Sequence, residues 1–245
     1  MFGAIAGTAS LLSVLVTLLA AAPDENMAAR DKLALAPLQP YVGQWRGVAL
    51  PKRGSSTGAW TETCDWSWRF EKGRAELVAQ FKDDKYYDRF QLQPGEKPGQ
   101  FVLLASSAQH NDKQPSAPPQ RFSGEINDGT LVVTAPAAAD ERPARISLRL
   151  VAGGDRMLML FEKRIGKELY ARLAEVGSTR HGSGFAKAAL GGPECIVTGG
   201  LGTIAVEHKG KKYFVCCRGC RDLFLEDPAG VLAEYRQRKA AERAK

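Results

Sequence analysis

Four cysteines lie in the last fifth of the chain, and their spacing is typical of a metal site. Three follow the pattern Cys-x20-Cys-x3-Cys, and a fourth falls inside the final cluster. These candidate metal ligands are Cys195, Cys216, Cys220 and Cys217. Thiolates select soft or borderline cations rather than Ca²⁺ or Mg²⁺. We therefore expect a Zn or Cu ion, and the spacing does not decide between the two.

The elements predicted around these cysteines would bring their sulfur atoms together. Residues 203–206 and 211–215 are two short strand candidates that form a hairpin, and a helix is predicted to begin near Cys217. Cys216 and Cys220 are four residues apart, so they can share one face of that helix. A helix N-terminus also lowers the pKa of a nearby thiol, which favours the thiolate that metals bind.

This tract resembles the metal-binding modules of the YHS/TRASH type. Their pattern is an early Cys on a turn, a Gly-Lys-x-Tyr-Phe strand, a Cys-x3-Cys, a Phe four residues later and an Asp-Pro pair. The matching residues are Cys195, Gly210, Lys211, Tyr213, Phe214, Cys216, Cys220, Phe224, Asp227 and Pro228. The resemblance implies a zinc-finger-like ββα metal-binding module over residues 194–245. Related modules often have a second Cys where this chain has Thr198, so Cys217, His208 or water could complete the set, or a three-coordinate site could suit Cu⁺.

Two other fates of these thiols stay open. In an oxidising compartment cysteines tend to pair as disulfides, although the five cysteines of this chain would leave one unpaired. The segment from Cys217 to Cys220 also has the Cys-x-x-Cys spacing of thiol-disulfide redox proteins. No thioredoxin-like βαβ pattern surrounds it, so a redox protein is an alternative hypothesis rather than the leading one.

The larger part of the chain, residues 41–177, alternates apolar and polar residues with the period of half-buried strands. In Trp60–Phe70 the even positions are apolar except for Glu62. About ten such segments are separated by Gly, Asn and Asp turn residues. They predict a mainly β fold, an antiparallel up-and-down β-barrel of about ten strands, with a β-sandwich as the alternative. A linker at 178–193 and the small module follow.

Gly43-Gln44-Trp45 at the start of the first strand resembles the Gly-x-Trp motif of lipocalin-like barrels, in which the Trp closes one end. The resemblance implies an alternative function, a carrier of a small apolar ligand with the metal module as a structural cap. The side chains that could line its cavity are Trp60, Trp66, Trp68, Met157 and Met159. Aromatic and Met residues at strand spacing more often form a core.

The first charged residue is Asp24, and the apolar stretch before it predicts an export signal over residues 1–22. An uncleaved N-terminal anchor is the alternative, because about 20 uncharged residues can span a bilayer. We expect a periplasmic or extracellular protein that contacts a membrane only through this segment if it is not cleaved.

Composition and motifs narrow the function further. Lys and Arg exceed Asp and Glu to give a net charge of +7, but the basic residues are scattered and no aromatic platform is interleaved with them, so we expect no nucleic-acid partner. The chain lacks the common hydrolase and phosphate-binding motifs. The leading hypothesis is an exported, non-catalytic protein that binds a soft metal ion in sensing, binding or trafficking.

Overall fold

The computed structural model describes residues 25–107, 118–136, 142–181 and 192–244. The predicted signal or anchor at 1–22 lies outside these ranges, as do residues 182–191 of the predicted linker. The elements in chain order are α1 (Glu25–Leu35), a 3₁₀ segment (Ala36–Tyr41), β1 (Gly43–Leu50), β2 (Trp60–Glu71), β3 (Arg74–Lys82), β4 (Arg89–Pro94), β5 (Gln100–Ser106), β6 (Gln120–Asn127), β7 (Thr130–Thr134), β8 (Arg145–Val151), a short 3₁₀ turn (Ala152–Gly154), β9 (Arg156–Arg164), β10 (Tyr170–Arg180), β11 (Ile204–His208), β12 (Lys211–Val215), α2 (Arg218–Glu226) and α3 (Pro228–Arg243).

The first ten strands form a closed antiparallel barrel in which each strand pairs with its neighbours in sequence. The barrel closes where β1 pairs with β10, with Trp45 opposite Arg180. Closure leaves no long edge for another chain to pair with. The predicted fold class, a mainly β barrel of about ten strands followed by a small hairpin and helix module, is confirmed.

Two strands have an end three or four residues away from the end that the alternation predicts. The alternation predicts a fourth strand over 86–92, but β4 begins at Arg89. The Asp84 carboxylate accepts the backbone N–H groups of Tyr86 and Tyr87 at 2.6 and 2.7 Å and folds them into a turn. The last barrel strand is predicted by the same alternation to cover 168–176. It continues to Arg180, within the residues assigned to the linker, because it stays paired with β1.

The alternating apolar side chains fill the barrel interior. Trp45, Trp66 and Trp68 are each at most 2 % exposed, and Met157 and Met159 at most 1 %. The Trp45 indole donates to the Tyr41 carbonyl at 2.9 Å, so its polar N–H is satisfied inside the core. These side chains therefore pack against one another as core residues.

Glu62, the polar exception on the inward face of β2, has a second carboxylic acid as its partner. Glu62 and Asp84 are 3 % and 6 % exposed, and their side chains hydrogen-bond to each other. The Trp60 indole also donates to Glu62 at 3.0 Å. Burial, followed by the negative charge of Asp84, raises the pKa of Glu62 to about 9, and burial raises the pKa of Asp84 as well. The pair therefore keeps a proton at neutral pH.

This proton makes stability depend on pH. The unfolded chain releases the Glu62 proton above its ordinary pKa of 4.5, whereas the folded chain keeps it to about 9, so the free energy of unfolding should fall as pH rises between these values. Glu62→Gln stays neutral and should flatten that slope by up to about 1.4 kcal/mol per pH unit. Urea unfolding at about pH 5 and about pH 8 measures the slope. The exposed Glu125 provides the matched control, Glu125→Gln, and equal slopes in wild type and Glu62→Gln would refute the shared proton.

The tail begins with a hairpin and ends with two helices. β11 and β12 pair from Ile204–Val215 to His208–Lys211, and Lys209 and Gly210 have φ of 50° and 72°, as a tight hairpin turn requires. Asp227 is the N-cap of α3, and its carboxylate accepts from the Gly230 N–H at 2.9 Å. Within the described residues, none of the helices combines the length and the apolar character needed to cross a membrane.

Candidate metal centre

The Sγ atoms of Cys195, Cys216 and Cys220 lie within 4.8 Å of one another. The Sγ atoms of Cys216 and Cys220 are 3.6 Å apart. Cys195 and Cys220 are fully buried and Cys216 is 7 % exposed. The Cys195 sulfur therefore meets two sulfurs more than twenty residues further along the chain, in one buried cluster.

A tight turn presents Cys195. Its backbone N–H donates to the Gly200 carbonyl at 2.6 Å, and its carbonyl accepts from the Gly199 N–H at 2.9 Å. Gly199 has φ of +80°, a left-handed conformation that glycine adopts at little cost. The next residue, Ile196, donates to the Phe214 carbonyl of β12 at 3.0 Å, which holds the turn against the hairpin.

A side chain from α3 fixes the same turn from the other side. The Arg238 guanidinium donates to the carbonyls of Cys195, Ile196 and Val197 at 3.2 to 3.3 Å. It also pairs with the Glu194 carboxylate at 3.0 Å. Sequence reasoning missed this residue, because nothing in a solvated basic helix marks one arginine as a partner of a turn more than forty residues away.

The other two sulfurs come from a strand end and a helix. Cys216 lies between β12 and the helix N-cap Cys217, and Cys220 is in the first turn of α2, so the two sulfurs meet at the helix start rather than on one helix face as the spacing predicts. The Thr203 hydroxyl donates to the Cys216 carbonyl at 3.2 Å and fixes the strand end. Phe224, one further turn along α2, is fully buried and anchors the apolar face of the helix.

The cluster favours an uneven distribution of protons. Hydrogen bonds from Cys216 and then Cys220 lower the pKa of Cys195 to about 2. The interaction with Cys195 raises the pKa of Cys216, and burial raises that of Cys220. The same two thiols also lower the pKa of Cys217, to about 3. Two neighbouring thiols thus favour thiolates at Cys195 and Cys217, and an incoming cation would displace the protons of Cys216 and Cys220.

The other candidates for a fourth ligand lie at different places. Thr198 is at the cluster, with its hydroxyl 3.5 Å from the Cys216 sulfur. Cys217 is not in the group of three; its sulfur accepts the backbone N–H of Trp68 at 3.3 Å, although it also hydrogen-bonds to Cys216 and Cys220. His208 pairs with Lys211 at the hairpin end, and its ring lies 6.2 Å from that of Phe224.

The distances suit one metal ion. With metal–sulfur bonds of about 2.3 Å, two sulfurs on one ion lie about 3.8 Å apart in a tetrahedral site and about 4.0 Å apart in a trigonal one. The separation of 3.6 Å between the Cys216 and Cys220 sulfurs and the limit of 4.8 Å for the group need only small shifts to reach these values. The three sulfurs can hold a soft or borderline cation.

Comparisons with known proteins add little. No protein-family model matches the chain, and no curated protein matches it significantly. Among solved structures, the crystal structure of Rv2717c from M. tuberculosis is similar, with 16 % sequence identity and a TM-score of 0.36 over 60 % of this chain and 97 % of that chain. A likeness of this size supports no conclusion about function.

Proposed function

We propose that this protein binds one soft or borderline metal ion, Cu⁺ or Zn²⁺, through the thiolates of Cys195, Cys216 and Cys220. The observation that carries the proposal is the convergence of these three buried sulfurs within 4.8 Å. Among apolar surroundings such sulfurs would be poorly solvated as free thiolates, and a bound cation compensates their charge.

The coordination number bears on the choice of metal. Thr198 lies at the cluster in the position where related modules carry another cysteine, and its hydroxyl is a weak ligand for a soft ion. The Cys217 sulfur lies outside the group of three and accepts the Trp68 N–H. Three thiolates as ligands suit trigonal Cu⁺, whereas Zn²⁺ would need water or another group to complete four-coordination. We therefore place Cu⁺ ahead of Zn²⁺ as the ion that this protein carries.

The wider role follows from the tail motif and the N-terminal sequence. The YHS/TRASH-like pattern around the cysteines supports a role in metal sensing, binding or trafficking. The uncharged segment before Asp24 supports export to the periplasm or the outside of the cell. The barrel would then be the scaffold to which the metal module is attached.

Anaerobic titration of the reduced protein with Cu⁺ and with Zn²⁺, read by native mass spectrometry, tests the proposal. We expect one ion per chain, removable by chelator, and Cu⁺ retained against a competing chelator that strips Zn²⁺. Cys64→Ala removes a buried thiol of the barrel and should leave the metal-bound mass unchanged. The proposal is refuted if the reduced protein takes up no ion. It is also refuted if the mass shows a loss of two hydrogens to a Cys216–Cys220 disulfide that reductant does not open.

A further inference from the structure

The metal cluster lies against an unpaired stretch of a barrel strand. β2 pairs with β1 only as far as Trp66, opposite Gly43, whereas it pairs with β3 as far as Glu71. On the β1 side, Trp68 therefore has no partner strand among the residues that the structure describes. A buried backbone N–H without a partner is costly, so another group must accept it.

The tail module supplies that group. The Cys217 sulfur accepts the Trp68 N–H at 3.3 Å in a buried contact. Gly219, on the first turn of α2, lies so close to Trp68 that an added Cβ would overlap the Trp68 carbonyl oxygen. The start of α2 thus covers the open edge of β2, and the sequence Cys217-Arg218-Gly219 provides an acceptor and the room for close approach.

The Trp68 side chain is linked to the turn that carries Cys195. Its indole N–H donates to the Gln39 side-chain oxygen at 2.7 Å, and the Gln39 side chain lies against Gly200. Gly200 in turn accepts the backbone N–H of Cys195. The indole ring itself is 2 % exposed and stacks on Phe70 in the barrel core, with ring centroids 5.9 Å apart.

We propose that Trp68 couples the metal state of the tail to the barrel, and that Cys217 is the positioning residue that docks the two parts rather than a ligand. This inference rests on the proposed function. Metal binding would draw Cys195 toward Cys216 and Cys220. The start of α2 contacts the Trp68 backbone directly, and the Cys195 turn is linked to the Trp68 indole through Gln39. Loading therefore changes the surroundings of one residue whose side chain belongs to the barrel core.

Selective ¹⁵N labelling of tryptophan tests the coupling. The four tryptophans each give a backbone and an indole N–H signal, and Trp68→Phe assigns those of Trp68 by their loss. Adding one equivalent of Cu⁺ to the whole protein should shift both Trp68 signals. Those of Trp60 should stay in place, because Trp60 lies eight residues away, about 26 Å along β2.

Two variants separate docking from ligation. Cys217→Ala removes the acceptor, so the Trp68 amide signal should move in the metal-free protein and lose most of its response to Cu⁺, while the protein still binds one ion. Cys217→Ser keeps an acceptor and should restore the response in part. Unchanged Trp60 signals show that the barrel of each variant is folded. If Cys217→Ala does not fold, Cys217→Ser tests the docking role instead, through the number of ions it binds and the shift of its Trp68 signals on adding Cu⁺.

The possible failures are distinguishable. If Cu⁺ binds to the wild type and the Trp68 signals do not move, the coupling is wrong and the proposed function stands. If Cys217→Ala or Cys217→Ser folds and no longer binds the ion, Cys217 is a ligand and its docking role is wrong. If the wild type binds no ion, the proposed function and the coupling fail together.

Discussion

Cys195→Ser should weaken Cu⁺ binding by at least about a hundredfold. Losing a residue that merely supports a metal ligand costs about 10- to 100-fold in affinity, so losing the ligand itself should reach the upper end of that range or exceed it. Of the three proposed ligands, Cys195 is also the one whose pKa is lowered, by hydrogen bonds from Cys216 and Cys220. A serine hydroxyl at this position stays neutral and binds a soft ion poorly.

The measurement is a competition titration with a chromophoric Cu⁺ chelator under reducing, anaerobic conditions. Cys64→Ser makes the same chemical change at a buried cysteine of the barrel and should leave the affinity unchanged. Cys220→Ser should lose as much as Cys195→Ser. A loss on changing Cys220 together with undiminished binding by Cys195→Ser would show that the neighbouring Cys216 and Cys220 form a two-sulfur site without the distant turn.

The barrel was predictable because each strand can be recognised from its own short stretch of sequence. Each strand shows its inward face through apolar residues at every second position, as Cys64, Trp66 and Trp68 do in β2, and turn residues mark the ends. The predictions failed where a side chain overrides the alternation. Asp84 accepts the backbone N–H groups of Tyr86 and Tyr87, so the fourth strand begins three residues later than the alternation predicts. No pattern in the sequence indicates that Asp84 pairs with Glu62 inside the barrel.

The candidate site was predictable to a similar depth. Cys216 ends the hairpin one residue before the N-cap Cys217, and Cys220 lies in the first turn of α2, so their proximity follows from the strand-to-helix junction that the sequence predicts. Their meeting with Cys195 depends on a turn that Arg238 holds from α3, and the contact between Cys217 and Trp68 depends on where β1 happens to begin. Such contacts join distant segments, and residue spacing carries no signal for them.

Thr198→Cys should convert the cluster into a four-sulfur zinc site and raise the affinity for Zn²⁺ by about a hundredfold, or about 3 kcal/mol. Residue 198 is already at the cluster, since its side-chain oxygen lies 3.5 Å from the Cys216 sulfur, so a sulfur there can reach the ion without moving the backbone. Cu⁺ should gain much less, because a trigonal site already satisfies it.

Co²⁺ substitution reports the geometry, because a tetrahedral four-thiolate site gives intense visible absorption, and competition with a Zn²⁺ chelator reports the affinity. Thr198→Val is the matched control: it has nearly the shape of threonine, lacks the hydroxyl and offers no ligand. It should bind Zn²⁺ as the wild type does, which separates the added sulfur from a mere change at this position. Equal Zn²⁺ affinities for Thr198→Cys and Thr198→Val would mean that residue 198 does not face the ion. In that case a cysteine missing at position 198 does not explain a preference for Cu⁺.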